Sequence, residues 1–185
     1  MAKIAKKIRQ EILIHKIEAN LFLTDEELAS LLEVSVQTIR LDRLELGIPE
    51  LRQRMRQTAQ AAQGKMKAIA SRDVVGEVID LELGKSGISI LNITSEMVLE
   101  ITQVARGHYI FAQANSLALA IIDAPAAVTG VANVKFKIPV HVGEKLVAKA
   151  EVIRRRGNKH FVWVKTKSEH QEVFRAKFII VSLAE

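Results

Sequence analysis

The residue pattern changes abruptly at Gly76, and that break constrains the fold more than any other feature. From Met1 to about Ala70 the chain is rich in Ala, Leu, Ile, Gln and charged residues, and β-branched residues are confined to short pieces, which is the texture of helices. Beyond the break, Gly76–Leu83 and Ile88–Ile93 alternate partially between apolar and polar residues. Gly84-Lys85-Ser86-Gly87 between them is a turn signal, so the pair reads as a β-hairpin. A helical stretch over Gly107–Ile122 follows, and strand-like runs occupy 126–136, 145–156, 159–168 and 171–183. The pattern predicts an α+β protein with a helical head, a helical linker and a mixed body, bounded at 1–48, 49–72 and 73–185.

At 185 residues the chain has room for a small domain joined to a medium one, each folding without covalent cross-links. It contains no cysteine, which excludes disulfides, thiol catalysis and thiolate metal sites, and its five histidines show no metal spacing. Charged residues run through Met1–Asn20, Lys3 among them, and interrupt any signal-peptide core. The most apolar stretch, Leu117–Ala127, is broken by Asp123 and Pro125 and falls short of the roughly 20 residues a bilayer crossing needs. The expectation is a cytoplasmic protein without a membrane segment or metal cofactor. A formal charge of +6 and a pI near 9.7 favour anionic partners.

Within the head, Thr24 can cap one helix, with Glu27 completing a capping box, and Ser35 can cap the next. Gly47 and Pro49 stop that second helix. Leu28, Leu31, Leu32, Val34, Ile39 and Leu46, with Ile8, Ile12 and Ile17 of a preceding helix, are the candidate core. A helix–turn–helix of this kind reads DNA when its second helix offers short polar and basic residues to the major groove. Those would be Ser35, Gln37, Thr38 and Arg40. Gln can pair bidentately with adenine and Arg with guanine, while the hydroxyls and Arg43 would touch phosphates. A plain helical hairpin with a polar outer face is the alternative. The run Leu28-Ala29, Val34-Ser35 and Thr38-Ile39-Arg40 resembles winged-helix regulators of the DeoR type, which implies DNA binding. Residues 1–70 hold twelve basic and nine acidic side chains, a net of only +3, so strong operator binding requires a dimer.

Pro49–Ala70 carries apolar residues at Leu51, Met55, Ala59, Ala62, Met66 and Ile69, a single helical stripe, with Arg52, Arg54, Arg56, Lys65 and Lys67 opposite. It is either a solvated connector or a helix whose stripe docks on a partner surface. Arg52 and Arg56, four apart, can enter an adjacent minor groove or simply keep the helix soluble.

In the body, Ala112, Ala114, Ala118 and Ala120 let a sheet approach the Gly107–Ile122 helix closely, so the helix is predicted to be wrapped, as in a hotdog fold. Phe136–Ala150 is similar to the segment leading into the long strands of hotdog acyl-CoA thioesterases, whose central helix supplies an acidic catalytic residue. Aligning Gly107, Phe111 and Ala114 with that motif puts Asn115 at the acidic position. An amide cannot act as general base or carboxylate nucleophile, and nearby Gln113 has the same limitation. Binding without turnover is the expectation. Arg106 at the helix start can grip a carboxylate through two parallel bonds, distinguishing a malonyl from an acetyl group, and Gly107 would let a ligand approach the backbone. Taken alone, an Arg-Gly pair also serves as a surface cap.

Taken together, Val34–Arg52, the hairpin over 76–93, and Ala105-Arg106-Gly107-His108 through Phe111–Ala118 resemble the FapR family over nearly the whole chain. That family comprises homodimeric bacterial repressors of fatty-acid and phospholipid synthesis genes, released from operator DNA by malonyl-CoA. The resemblance implies that Arg106 and Gly107 bind the malonyl end, with Phe111 and Asn115 in the same pocket. It leaves malonyl carrier protein open as a second effector. The linker's apolar stripe and the missing carboxylate lead to the expectation that effector binding docks the linker helix on the body and pulls the heads out of register. The sequence departs from the family pattern at Leu99 and Ile101.

Overall fold

The computed structural model describes residues 5–183, and of residues 59–63 the backbone only. Lys3 and the side chains of Ala59 and Ala62 lie outside that description. The chain divides into two compact units, Met1–Thr58 and Ala59–Glu185.

The first unit packs helices α1 (Lys6–Ala19), α2 (Asp25–Leu31) and α3 (Val36–Glu45), followed by α4 (Leu51–Lys65). The capping box forms as the spacing predicts. Thr24 Oγ1 accepts the Glu27 N–H at 3.1 Å, and the Glu27 carboxylate accepts the Thr24 N–H at 2.8 Å. Ser35 caps α3, and Gly47, at φ +67°, ends it in the left-handed conformation that costs glycine nothing. Leu13, Ile17, Leu28, Ala29, Leu32 and Ile39 form the core. Two expected core residues differ: Ile8 and Leu31 are each 54% exposed, because Leu13 presents the inward position of α1 and Leu32 that of α2. Two ion pairs bind the helices. Arg9 donates to both Asp42 carboxylate oxygens, at 2.6 and 3.1 Å, and Arg43 does the same to Asp25. The expected winged form is corrected. Among the described residues the first strand begins at Glu77, and after α3 the chain turns through Gly47-Ile48-Pro49 directly into α4.

The linker helix is shorter than its stripe predicts and is claimed from both ends. Arg54, 4% exposed, donates to the backbone oxygens of Leu21, Leu23 and Pro49, which ties the start of α4 to the head. The helix stops at Lys65, next to Gly64, a weak helix former. Met66, Ala68 and Ile69 then pack on the core of the second unit, so tertiary burial replaces helical continuation.

In that second unit, β1 (Glu77–Glu82), β2 (Ser86–Asn92), β3 (Ala127–Phe136), β4 (Lys145–Arg156), β5 (Lys159–Ser168) and β6 (Gln171–Ser182) make one antiparallel sheet. Its order is β1-β2-β4-β5-β6-β3. The sheet curves around α5 (Gly107–Ala120), of which Ala114, Leu117, Ala118 and Ala120 are fully buried. Alanines there hold the helix axis close to the strands. This is the wrapped-helix, hotdog arrangement. Strand β3 forms one edge of the sheet, and Val128, Val131, Val134 and Phe136 on it are exposed.

Candidate functional site

The first candidate surface is α3. Ser35, Gln37 and Arg40 are exposed and Thr38 is half-buried. The two hydroxyls are partly committed to the cap: Ser35 Oγ lies 2.8 Å from Thr38 Oγ1 and accepts the Thr38 N–H at 3.2 Å. Gln37 has no such commitment, and Arg40, 3.6 Å from Asp25, keeps a half-exposed guanidinium. Arg43 does not share this surface. Its Nε and Nη2 donate to Asp25 and its Nη1 to the Ile48 carbonyl, so it locks α3 to α2 instead of meeting phosphate. Burial pushes the Asp25 carboxyl up, but the Arg43 bonds and the charges of Arg43, Arg40 and Arg54 outweigh it and hold the group below its ordinary value. Leu41 and Leu44, exposed on α3, were missed by the sequence reading, although their spacing from Gln37 puts all three on one helical face. Arg52 and Arg56 are exposed on α4, with Arg54 turned inward between them.

The second candidate surface runs along α5. Arg106 holds the N-cap position of the helix without a side-chain cap; its backbone N–H donates to the Met97 carbonyl at 2.8 Å, and one guanidinium nitrogen donates to the Glu96 carbonyl. Its Nε is buried without a hydrogen-bond partner, and the guanidinium lies 5.7 Å from the Tyr109 ring centre. A hollow of about 290 Å³, lined by Ala105, Ile110, Phe136 and Pro139 among others, opens beside this helix start. A Cβ at Gly107 would stand 3.1 Å from the Phe136 ring, so the missing side chain makes room for an aromatic ring of β3.

Gly107, Phe111 and Asn115 recur every four residues and face the β3 side of the sheet. Phe111 stacks near Phe178 at 5.9 Å, and Asn115 Oδ1 accepts the Thr129 hydroxyl at 2.6 Å. Asn115 lies two turns from Gly107, about 12 Å along the axis. Arg106 and Asn115 of one chain therefore stand too far apart along the helix to grip the same small group. Gln113 is fully buried on the opposite side. Its Nε2 donates to Ser89 and its Oε1 has no partner, so the amide belongs to the core. No acidic residue lies on α5.

A curved antiparallel sheet around one helix, with an N-terminal helical unit, defines a thioesterase-superfamily body attached to a separate helical head. Residues 97–174 match the thioesterase superfamily model. The sequence is 59% identical over 183 residues to transcription factor FapR of Caldanaerobacter subterraneus subsp. tengcongensis, covering 99% of this chain and 92% of that relative. It is 47% identical over 176 residues to transcription factor FapR of Bacillus subtilis, covering 94% of each. The chain belongs to the FapR family of transcription factors, and it is a repressor of fatty-acid and phospholipid synthesis genes. Among solved structures, an uncharacterized protein from Pyrococcus horikoshii aligns with a TM-score of 0.61 at 32% identity, over 65% of this chain and 94% of its own. A Streptococcus mutans protein bound to acetyl CoA shares the fold, with a TM-score of 0.52 at 18% identity, over 58% of this chain and 88% of its own.

Proposed function

We propose that the protein acts in the cytoplasm as a homodimer that binds operator DNA through α3 and the first turns of α4, and that its body binds malonyl-CoA without hydrolysing it. Gln37 and Arg40 read base edges, Ser35 and Thr38 fix register on phosphate, and Arg52 and Arg56 reach the neighbouring minor groove. Arg43 supports this surface from behind by clamping α3 on α2. The exposed valines of β3 and the unpaired outer edge of that strand suit pairing with a second copy.

The observation that carries the effector reading is the buried, unpartnered Nε of Arg106 beside an apolar hollow. A buried donor without an acceptor is costly, and a ligand carboxylate supplies one. An effector slot along the β3-facing side of α5 would run from Arg106 past Phe111 and Asn115, which suits an extended acyl-pantetheine chain. Asn115 replaces the acidic group that turnover requires, so the thioester survives binding. The fold is shared with a protein that binds acetyl CoA, which supports a CoA thioester as the ligand class.

A gel-shift titration of the full chain on promoter DNA tests the reading. Malonyl-CoA should weaken operator binding by about 5- to 150-fold and acetyl-CoA far less. Arg106→Ala should bind the operator normally and ignore malonyl-CoA. Operator affinity indifferent to malonyl-CoA in the parent protein would overturn the switch.

A further inference from the structure

The sheet face turned away from α5 carries a line of cations that neither the head nor the effector slot uses. Lys149 on β4 stands directly opposite Lys165 on β5, Lys165 opposite Arg175 on β6, and Arg175 opposite Lys135 on β3. All four are exposed. Neighbouring strands lie about 4.8 Å apart, so four like charges cross the sheet in roughly 14 Å. Like charges directly opposite one another destabilise a sheet. Little inside the chain offsets them. Lys149 has Glu151 at 2.8 Å, but among the described residues Lys135, Lys165 and Arg175 form no ion pair. Glu172, whose carboxyl feels the charges of Arg175 and Lys165, is bonded to Lys137. In the next row Trp163 lies beneath the Lys177 ammonium, 4.6 Å from the ring centre, beside a hollow of about 330 Å³.

A second copy cannot cover this face, since cations would meet cations. The polar side of the linker offers no counter-charge either: residues 51–67 hold Arg52, Arg54, Arg56, Lys65 and Lys67 and no acid. The occupant must be an extended polyanion. A single-file row of charge matches a linear backbone better than a planar lipid surface, and Trp163, held under Lys177, does not project as a membrane anchor would. Duplex DNA carries one negative charge per about 1.7 Å of its axis, and a transcription factor already works beside it. We infer that the outer sheet face is a second, sequence-independent DNA-binding surface, which holds the phosphate backbone through Lys149, Lys165, Arg175 and Lys135.

Trp163 is the only tryptophan of the chain, so its emission reports this face and not the head. With the full chain and a duplex of unrelated sequence at low salt, the Trp163 emission should change on titration. In K165Q/R175Q that change should vanish, and the slope of log affinity against log salt for the unrelated duplex should become shallower by about 2, near 0.9 per lost phosphate contact. The preference for operator over unrelated duplex should persist in K165Q/R175Q and be lost in Gln37→Ala, which separates this face from the head. K135Q, at the sheet edge, is a milder variant expected to lower the slope by about 1. An unchanged slope in both variants overturns the inference. So does a Trp163 response to anionic phosphatidylglycerol vesicles with none to duplex.

Discussion

Arg43 and Asp25 close a double hydrogen bond between α3 and α2, Nε to Oδ1 and Nη2 to Oδ2, both at 2.8 Å. The third arm of the same guanidinium holds the Ile48 carbonyl just past the helix end. One side chain thus fixes the angle at which α3 leaves α2 and the place where it stops. Removing it leaves a mostly buried carboxylate without its partner, so Arg43→Ala should cost about 2–4 kcal/mol and lower the thermal midpoint of the head. Arg43→Lys should rescue little, because an ammonium cannot replace the planar fork. Arg40→Ala should leave the midpoint nearly unchanged and weaken operator binding. Equal melting of Arg43→Ala and the parent in calorimetry would remove the clamp.

Acid should attack the two units in different ranges. His160 in the body is buried with its Nε2 unpartnered, and burial, with the charge of Arg155, holds its pKa below the ordinary value. Below about 6.5 the unfolded chain takes up that proton and the folded one resists, so body stability is complete above that pH and declines beneath it. In the head, the Arg9 bond, against opposing burial, holds Asp42 below its usual range, and Asp25 is also held low. Their contribution is complete above about 4 and is lost as pH falls through the depressed folded values. Melting followed from pH 7 to 3 should show the body weakening first, and His160→Gln should flatten that first limb. A first limb identical in His160→Gln would eliminate the histidine as its source.

Much of the architecture is legible in the sequence because it rests on local periodicity. Alternation over 145–156 and 159–168, the alanines of α5 and the Thr24–Glu27 cap are short-range signals, and each is realised in the fold. What escaped depends on contacts far apart in the chain. Nothing near Arg43 tells that it turns inward while Arg40 stays out, since its partner lies eighteen positions away. The partner of Asn115 is Thr129 on another element, and the ring over Gly107 comes from Phe136. The winged form was expected from a resemblance confined to α2 and α3, and the following turn, Gly47-Ile48-Pro49, decides the matter by starting another helix.

Gly107→Ala tests the slot without disturbing the fold. The new methyl would meet the Phe136 ring at 3.1 Å, and that ring, 50% exposed at the end of an edge strand, can yield by a few tenths of an ångström. Alanine is also the better helix former, by up to about 1 kcal/mol. The two effects should nearly cancel in thermal stability. Because Phe136 lines the hollow beside Arg106, malonyl-CoA affinity measured by calorimetry should fall about fivefold or more, near 1 kcal/mol. Unaltered affinity would place the ligand elsewhere.

The dimer prediction follows from the two sides of β3. On one side the strand pairs with β6 from Ala127 to Phe136. On the other, no strand among the described residues satisfies its backbone, although Val128, Val131 and Val134 stand exposed beside it. An edge of that length and composition invites a second strand, and natural sheets that remain single protect such edges with charge. Val131→Asp with Val134→Asp supplies that charge on both faces of the strand. Light scattering should report a dimer for the parent chain and a monomer for the double variant. Operator affinity should fall steeply with it, because residues 1–70 of one chain bring a net charge of only +3 and half the base contacts. A double variant that remains dimeric would move the interface away from β3.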